Sequence, residues 1–200
     1  MKLPLRDLER LRADPRSFGQ PRSFFTGMSK NRALHLAVYK FHKERNDLVQ
    51  ATNYFENLYR KSFKAVADMD DWLDQLATYA AAHKARGYVT VEAGRRTSAV
   101  SGNVELTGEI PRLDLDLSPG RAYAVWILVR DAGRWWDELR MPLMQAHVAD
   151  RMHVARDRVA VGVYDFETET HDQECFGTVD IERAEEELYR LASDIAAMGR

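Results

Sequence analysis

The hydrophobic positions of this 200-residue chain follow a helical period in its first part and a strand period in its second. Between residues 30 and 86, apolar side chains recur three or four positions apart, which predicts three amphipathic helices. Ser29 and Asp47 are placed to cap the first two, and Gly87 ends the third, which begins at Met69. A shorter helix is expected after Pro4. The sequence therefore predicts a helical N-terminal portion over residues 1–87.

After Gly87 the apolar residues alternate with polar ones, as in β-strands. The segments YVTVE, SAVSGNVEL and EIPRLDLDL predict three strands, the last with Arg112, Asp114 and Asp116 on a polar face. AYAVWILV and RVAVGVYDFE are apolar on both faces, which is typical of covered central strands. A helix with Pro142 in its first turn separates them, ECFGTV predicts a short strand, and residues 181–195 predict a closing helix.

This order predicts an α/β or α+β fold, in which a mixed central sheet is flanked by helices. We expect one domain over residues 1–200, with the α/β core in residues 88–200. Composition agrees, since 45% hydrophobic and 30% charged residues are typical of a soluble globular domain. The apolar runs are shorter than the roughly 20 residues that span a bilayer, and MKLPLRDLER is charged too early for a signal peptide. We expect a cytoplasmic protein without membrane contact.

Charge is distributed unevenly along the chain. Residues 1–64 hold 14 Lys and Arg against 6 Asp and Glu, a net charge of +8, and the remainder carries −10. A basic segment of this kind is typical of phosphate-backbone binding, and equally of the solvated faces of amphipathic helices.

Asp165 and Glu167, in the segment VYDFE, have the spacing of the first carboxylate pair of a DEDD-type exonuclease. That fold needs most of a domain after this pair to deliver two more acids. Only 33 residues follow Glu167, and nearly all belong to one predicted helix. We therefore interpret the two acids as the polar end of a buried strand.

Four segments together resemble the PD-(D/E)XK nuclease superfamily, and in detail the RecB-like nuclease domain. GEIPRLDLD resembles the strand of the family that ends G-x-I-D-R-x-D, and YAVWILVRDAG resembles its V-x-D-Y-K-T-G strand. LRMPLMQAHVAD resembles the helix signature Q-L-P-L-Y, and NRALHLAVYKF resembles an N-terminal helix with a histidine, here His35. The resemblance covers at least residues 30–198 and implies a restriction-endonuclease-like core.

Nucleases of this family hold a divalent metal with two carboxylates on adjacent strands, beside a lysine that orients the nucleophile. The resemblance puts Pro111 and Ile127 at the two acid positions, Val129 at the lysine, and Arg140 and Met144 at the glutamine and tyrosine of the helix. None of these side chains can take over the function of the family's residue there. The resemblance therefore implies a catalytically inactive nuclease fold that needs no cofactor.

Relocated metal ligands are the alternative that would keep the chain an enzyme. The nearest candidates are His35, Glu109, Asp114 and Asp131. With them the chain would be a nuclease dependent on Mg²⁺ or Mn²⁺.

The function expected first is DNA binding by an accessory protein of DNA processing, recombination or defence. Basic side chains would contact phosphates, and Trp135 and Trp136 would pack in the core or stack on bases. The candidate DNA-binding residues are Lys30, Arg32, Lys40, Lys43, Arg45, Arg60, Lys61, Lys64, Arg112, Arg130, Arg134, Trp135 and Arg140.

The second expectation is an adaptor that docks on a helicase, recombination or defence protein and does not touch DNA. Residues 165–200 hold 11 Asp and Glu against 3 Arg, and ERAEEELYR presents a negative helix face. Such a face repels DNA but complements a basic partner.

Overall fold

A computed structural model describes residues 1–20, 28–130 and 133–198 of the chain. In these ranges it contains six α-helices and six strands. The helices are α1 (Leu8–Ala13), α2 (Lys30–Lys43), α3 (Leu48–Ser62), α4 (Met69–Arg86), α5 (Arg140–Met152) and α6 (Thr178–Met198). The strands are β1 (Lys2–Pro4), β2 (Val89–Ser101), β3 (Val104–Leu115), β4 (Tyr123–Val129), β5 (Val159–Asp165) and β6 (Thr170–Glu174).

The predicted helix ends are confirmed. The Ser29 hydroxyl accepts a hydrogen bond from the Arg32 amide at 3.1 Å, and Asp47 Oδ1 accepts one from the Gln50 amide at 3.0 Å. Gly87 ends α4 in the left-handed conformation, with φ of 68°. These short-range signals satisfy backbone groups that a helix leaves unpaired, so local sequence was enough to locate them.

The strands form one mixed sheet. The antiparallel hairpin of β2 and β3 continues antiparallel into β4, α5 then crosses to β5, which is parallel to β4, and β6 closes the edge antiparallel to β5. β1 pairs in parallel with the beginning of β3. The predicted class, a mixed sheet flanked by helices, is thereby confirmed.

Two hydrophobic clusters cover the two faces of the sheet. One contains residues of α1, α5 and α6 with Ile127 and Val163, and the other contains residues of α2, α3 and α4 with Leu128 and Tyr164. Neighbouring residues of β4 and β5 thus point into different clusters. This explains why both strands read as apolar on both faces.

Two strand predictions were wrong, and one strand was missed. SAVSGNVEL is not one strand, because Gly102, with φ of 57°, lies in the turn between β2 and β3. The strand expected in ECFGTV lies earlier, over Thr170–Glu174, and β1 was not predicted. No described helix combines the length and the hydrophobicity that a membrane span requires.

Candidate functional site

The candidate site lies at a gap in the sheet, beside β3. One edge of β3 is covered along its length by β2. On the other edge, β1 pairs with residues 105–107 and β4 pairs with residues 112–115. Residues 108–111 therefore have no described strand beside them on that edge, and a cleft opens there.

The cleft has a volume of about 570 Å³ and is walled by six elements and the turn after β1. We call it the arginine cleft. Its lining consists of Pro4, Leu5, Arg6, Arg32, Tyr39, Arg96, Thr107, Gly108, Glu109, Pro111, Ile127, Leu128, Arg140 and Met144. Four arginines and a single carboxylate thus surround a partly apolar floor.

The arginines come from parts of the chain that are distant in sequence. Arg6 follows β1, Arg32 lies in the first turn of α2, Arg96 on β2 and Arg140 at the start of α5. Arg32 Nη2 lies 3.4 Å from Glu109 Oε2. The lining residues by themselves thus carry excess positive charge, of which Arg140 is compensated by Glu138 beside the cleft.

Tyr39 forms the wall of the cleft toward α2. The Arg32 guanidinium carbon lies 5.8 Å from the centre of its ring. Burial, together with the neighbouring Glu109, raises the pKa of Tyr39. The phenol therefore stays protonated at neutral pH and can donate a hydrogen bond toward the cleft residues.

Four of the five positions at which the resemblance implies lost catalytic residues line this cleft. Pro111, Ile127 and Met144 contribute to its apolar floor, and Arg140 lies at its rim, where its Nε contacts Glu138. Val129 is not part of the lining; it packs against the hydrophobic cluster of α5 and α6. The floor thus offers no carboxylate at the acid positions.

The relocated-ligand candidates do not come together as a ligand set. His35 stacks on Phe166, with 5.9 Å between ring centres, and burial with Arg32 and Arg130 nearby lowers its pKa to about 4. Glu109 faces Arg32 in the cleft, and Asp131 lies outside the described residues. Within the described ranges no three His, Cys, Asp or Glu side chains are grouped closely enough to hold a metal ion.

The prediction that Arg112 contacts DNA is wrong, as is the prediction that Asp114 lies on a polar strand face. Both side chains are fully buried, with Arg112 Nε 3.0 Å from Asp114 Oδ2. Thr90 donates to Asp114 Oδ1 at 2.7 Å, and Arg112 donates to the Tyr79 hydroxyl at 2.5 Å. The alternation suggested a solvated face because nothing local in the sequence shows that α2 and α4 cover it.

The buried pair changes the titration of its neighbours. Burial, and then the charge of Arg112, lowers the pKa of His42 to about 2 and that of His83 to about 4. Burial raises the pKa of Asp114 above its usual value, and Arg112 opposes that rise. The two histidines are therefore neutral at physiological pH.

Trp135 is also not a base-stacking residue, because it is only 7% exposed and packs in the hydrophobic core. Its neighbour Trp136 is half-buried. Asp165, from the carboxylate pair of the VYDFE segment, is 5% exposed and accepts a hydrogen bond from the Glu167 amide at 2.8 Å. This agrees with the interpretation as the polar end of a buried strand.

Several predicted basic residues already have partners. Lys30 Nζ lies 2.5 Å from Asp68 Oδ2, and this hydrogen bond raises the pKa of Lys30. Lys40 pairs with Glu44 at 2.6 Å, and the Arg130 guanidinium carbon lies 4.2 Å from the centre of the Trp72 ring. The charges of Lys30 and Lys40 are thus already compensated within the protein, and Arg130 packs against Trp72.

The remaining predicted cations lie on the surface outside the arginine cleft. Lys43 and Arg45 lie two positions apart, at and just after the end of α2. The Arg134 side chain is 93% exposed, and its Nε lies 3.4 Å from Asp137 Oδ2. A third group, at and after the end of α3, consists of Arg60, Lys61 and Lys64. These residues do not converge on one site with Arg32 and Arg140.

Sequence reasoning missed Arg6 and Arg96. Arg96 is exposed and, in the part of the chain that is described, has no ion-pair partner. The dipeptide Arg95-Arg96 interrupts an alternating segment, and that interruption is the one signal that would have drawn attention to it. Arg6 carries no local signal, since β1 brings it to the cleft by pairing with a strand about 100 residues away.

Comparison with known proteins gives no assignment. No protein-family model and no curated protein matches the chain. One solved structure to which the chain is similar is that of SSO0001, at 10% identity, over 96% of this chain and 84% of that one, with a TM-score of 0.36. A similarity this weak supports no conclusion about the fold or the function of this chain.

Proposed function

We propose that this chain binds DNA through the arginine cleft and acts as an accessory protein of DNA processing or defence, with a nuclease-like fold that has lost its catalytic residues. The observation that carries the proposal is the convergence of Arg6, Arg32, Arg96 and Arg140 on one cleft with a single carboxylate. Guanidinium groups bind phosphate oxygens through paired, charge-assisted hydrogen bonds. A nucleic-acid backbone is the common ligand that presents several phosphates in a row.

The cleft floor supports binding rather than cleavage. Metal-dependent phosphodiester hydrolysis needs oxygen ligands at the floor, and Pro111, Ile127 and Met144 supply none. Their apolar atoms lower the local dielectric constant, which strengthens the attraction between the surrounding arginines and an anion.

The strand order gives separate support for the nuclease-like part of the proposal. An antiparallel meander, β2 to β4, is followed by a helix and then by a strand parallel to the last of the three. The resemblance in the sequence implies this succession. Topology alone does not specify function, so the proposal depends on the cleft.

The test is a fluorescence-anisotropy titration of labelled single-stranded and duplex DNA at about 50 and about 200 mM salt. Each titration is run with and without Mn²⁺, and the DNA is afterwards examined on a gel. The test variant is Arg96→Gln with Arg140→Gln. The matched control is Arg60→Gln with Lys61→Gln, which removes the same charge from an exposed site at the end of α3.

We expect salt-sensitive binding with intact DNA. The salt slope should fall in the cleft variant by about 1.8 for duplex and by about 1.4 for single-stranded DNA, but not in the control. Absence of binding at the lower salt would refute the proposal. DNA fragments that form only with Mn²⁺ would instead support the relocated-ligand alternative.

The adaptor alternative is favoured by a different groove, of about 630 Å³, between the start of α5 and α6. Its half-buried aromatic residues are Trp136 and Phe176. Its charged lining is mostly acidic: Asp137, Glu138, Glu174, Asp180 and Glu187, with Arg12 and Arg183. Such a groove complements a basic protein surface, and an adaptor would show no DNA binding in the titration above.

A further inference from the structure

A second concavity adjoins the arginine cleft and shares Arg96 with it. This groove has a volume of about 530 Å³ and runs along residues 90–96 of β2, beside His42 and Lys43 at the end of α2. We call it the strand groove. Both concavities are lined by Arg96, so they meet at this residue.

The strand groove carries net positive charge. Lys43, Arg95 and Arg96 are exposed along it. Its one carboxylate, Glu92, is already bound by Arg95 and by Arg151, each at 2.6 Å. The negative charge of Glu92 is thus compensated within the protein and does not repel an anion.

The backbone of β2 adds hydrogen-bond donors. Its inner edge pairs with β3, whereas no described strand pairs with its outer edge. The register shifts between Thr90 and Glu92, and Gly94 has φ of 57°. Irregular strand backbone of this kind exposes amide groups, and amides are regular ligands of phosphate oxygens.

We propose that the strand groove is a second subsite for the same nucleic-acid strand, which continues from the arginine cleft past Arg96 toward Lys43. The inference rests on the proposed function and adds the path and the length of the bound strand. Residues 90–96 extend over roughly 20 Å at the rise of a β-strand. At the spacing of about 3.4 Å per nucleotide along a stacked strand, this length accommodates about six nucleotides.

The test measures how affinity depends on the length of the ligand. Labelled oligo-dT probes of roughly 4 to roughly 16 nucleotides, the range of single-strand sites in OB folds, are titrated at several salt concentrations. The groove variant is Lys43→Gln with Arg95→Gln, in which Arg151 still holds Glu92. The cleft variant and the α3 control are those defined above, and thermal unfolding verifies that all variants fold.

For the native chain we expect affinity to rise with probe length until both concavities are filled. The groove variant should bind the shortest probe as the native chain does and lose on the order of 10-fold affinity for the longest. Its salt slope for long probes should fall by about 1.4, which corresponds to two single-strand phosphate contacts.

Equal affinity of the groove variant and the native chain for every probe would overturn this inference and leave the proposed function standing, provided that the cleft variant is weakened. An equal loss in the α3 control would overturn the inference too, because the loss would then not be specific to the strand groove. A native chain that binds no probe would refute the proposed function itself.

Discussion

Replacing Asp114 by Asn should destabilise the fold strongly and leave the DNA affinity of the folded protein unchanged. Among the described residues, Asp114 is the one carboxylate within ion-pair distance of Arg112, and both side chains are fully buried. Asparagine keeps the shape and can still accept from Thr90, but it removes the charge. The guanidinium of Arg112 would then remain buried without a counter-charge.

The expected cost is about 3–5 kcal/mol in the free energy of unfolding, the usual result of removing one partner of a buried ion pair. For a chain of this length that corresponds to a decrease of about 6–20 °C in Tm. Urea unfolding followed by tryptophan fluorescence measures it, because Trp126 is buried and its ring centre lies 4.7 Å from the Arg112 guanidinium carbon.

The double variant Arg112→Met with Asp114→Leu separates charge from packing. It removes both charges and fills a similar volume, so it should lie within about 2 kcal/mol of the native chain. A cost of Asp114→Asn below about 1 kcal/mol would show that water reaches the pair. A double variant as unstable as the single one would show that hydrogen bonds, and not the unpaired charge, account for the loss.

Three further predictions follow from the same contacts. Gly94→Ala should lower both the stability and the DNA affinity, because a Cβ at φ of 57° is strained by about 1–2 kcal/mol and would overlap the Tyr39 ring in the cleft wall. A variant that loses stability in urea but keeps native DNA affinity in the anisotropy titration, or the reverse, would contradict this prediction. Trp135→Ala should cost about 3–5 kcal/mol of stability without weakening DNA binding, whereas a base-stacking role would lower affinity in the folded variant. The folded pKa values of His42 and His83, about 2 and about 4, lie below the unfolded value, so the unfolded chain binds more protons and stability is lost as pH falls below about 6.5. At about pH 5.5 the loss is about 1.4 kcal/mol for each histidine, and a variant with both changed to Gln should show a correspondingly weaker pH dependence of urea unfolding.

The features predicted best from the sequence are the helix ends, which short-range interactions determine. Ser29, Asp47 and Gly87 delimit their helices through backbone hydrogen bonds that a few neighbouring residues make. The β2–β3 hairpin was divided wrongly because residues 93–97 (AGRRT) break the alternation within one long strand, Val89–Ser101. Strand β1 was missed because three residues carry too little pattern and its partner lies far along the chain.

The candidate site could be predicted in part. Pro111, Ile127, Met144 and Arg140 were chosen through the resemblance to a nuclease motif, and they line one cleft. The family assignment itself stays a prediction. The burial of Arg112 could not be predicted from the sequence, since only the packing of α2 and α4 against the sheet distinguishes a buried arginine from a surface one.

The two proposed binding surfaces and the buried pair of Arg112 and Asp114 lie along one hairpin, β2 and β3. Along β2 and β3, Arg96 lies opposite Glu109 at the cleft, whereas Ala93 lies opposite the buried Arg112. A few residues further along the same hairpin, an arginine that lines the cleft is thus followed by a buried arginine that needs its own carboxylate. Asp114 lies beside Arg112 inside the protein, so that carboxylate is not in the cleft. Glu109 is the one carboxylate among the cleft lining residues, and Glu138 pairs with Arg140 at the rim. A cleft lined with acids would need a metal ion before phosphate could approach, whereas the binding that we propose for this cleft needs none.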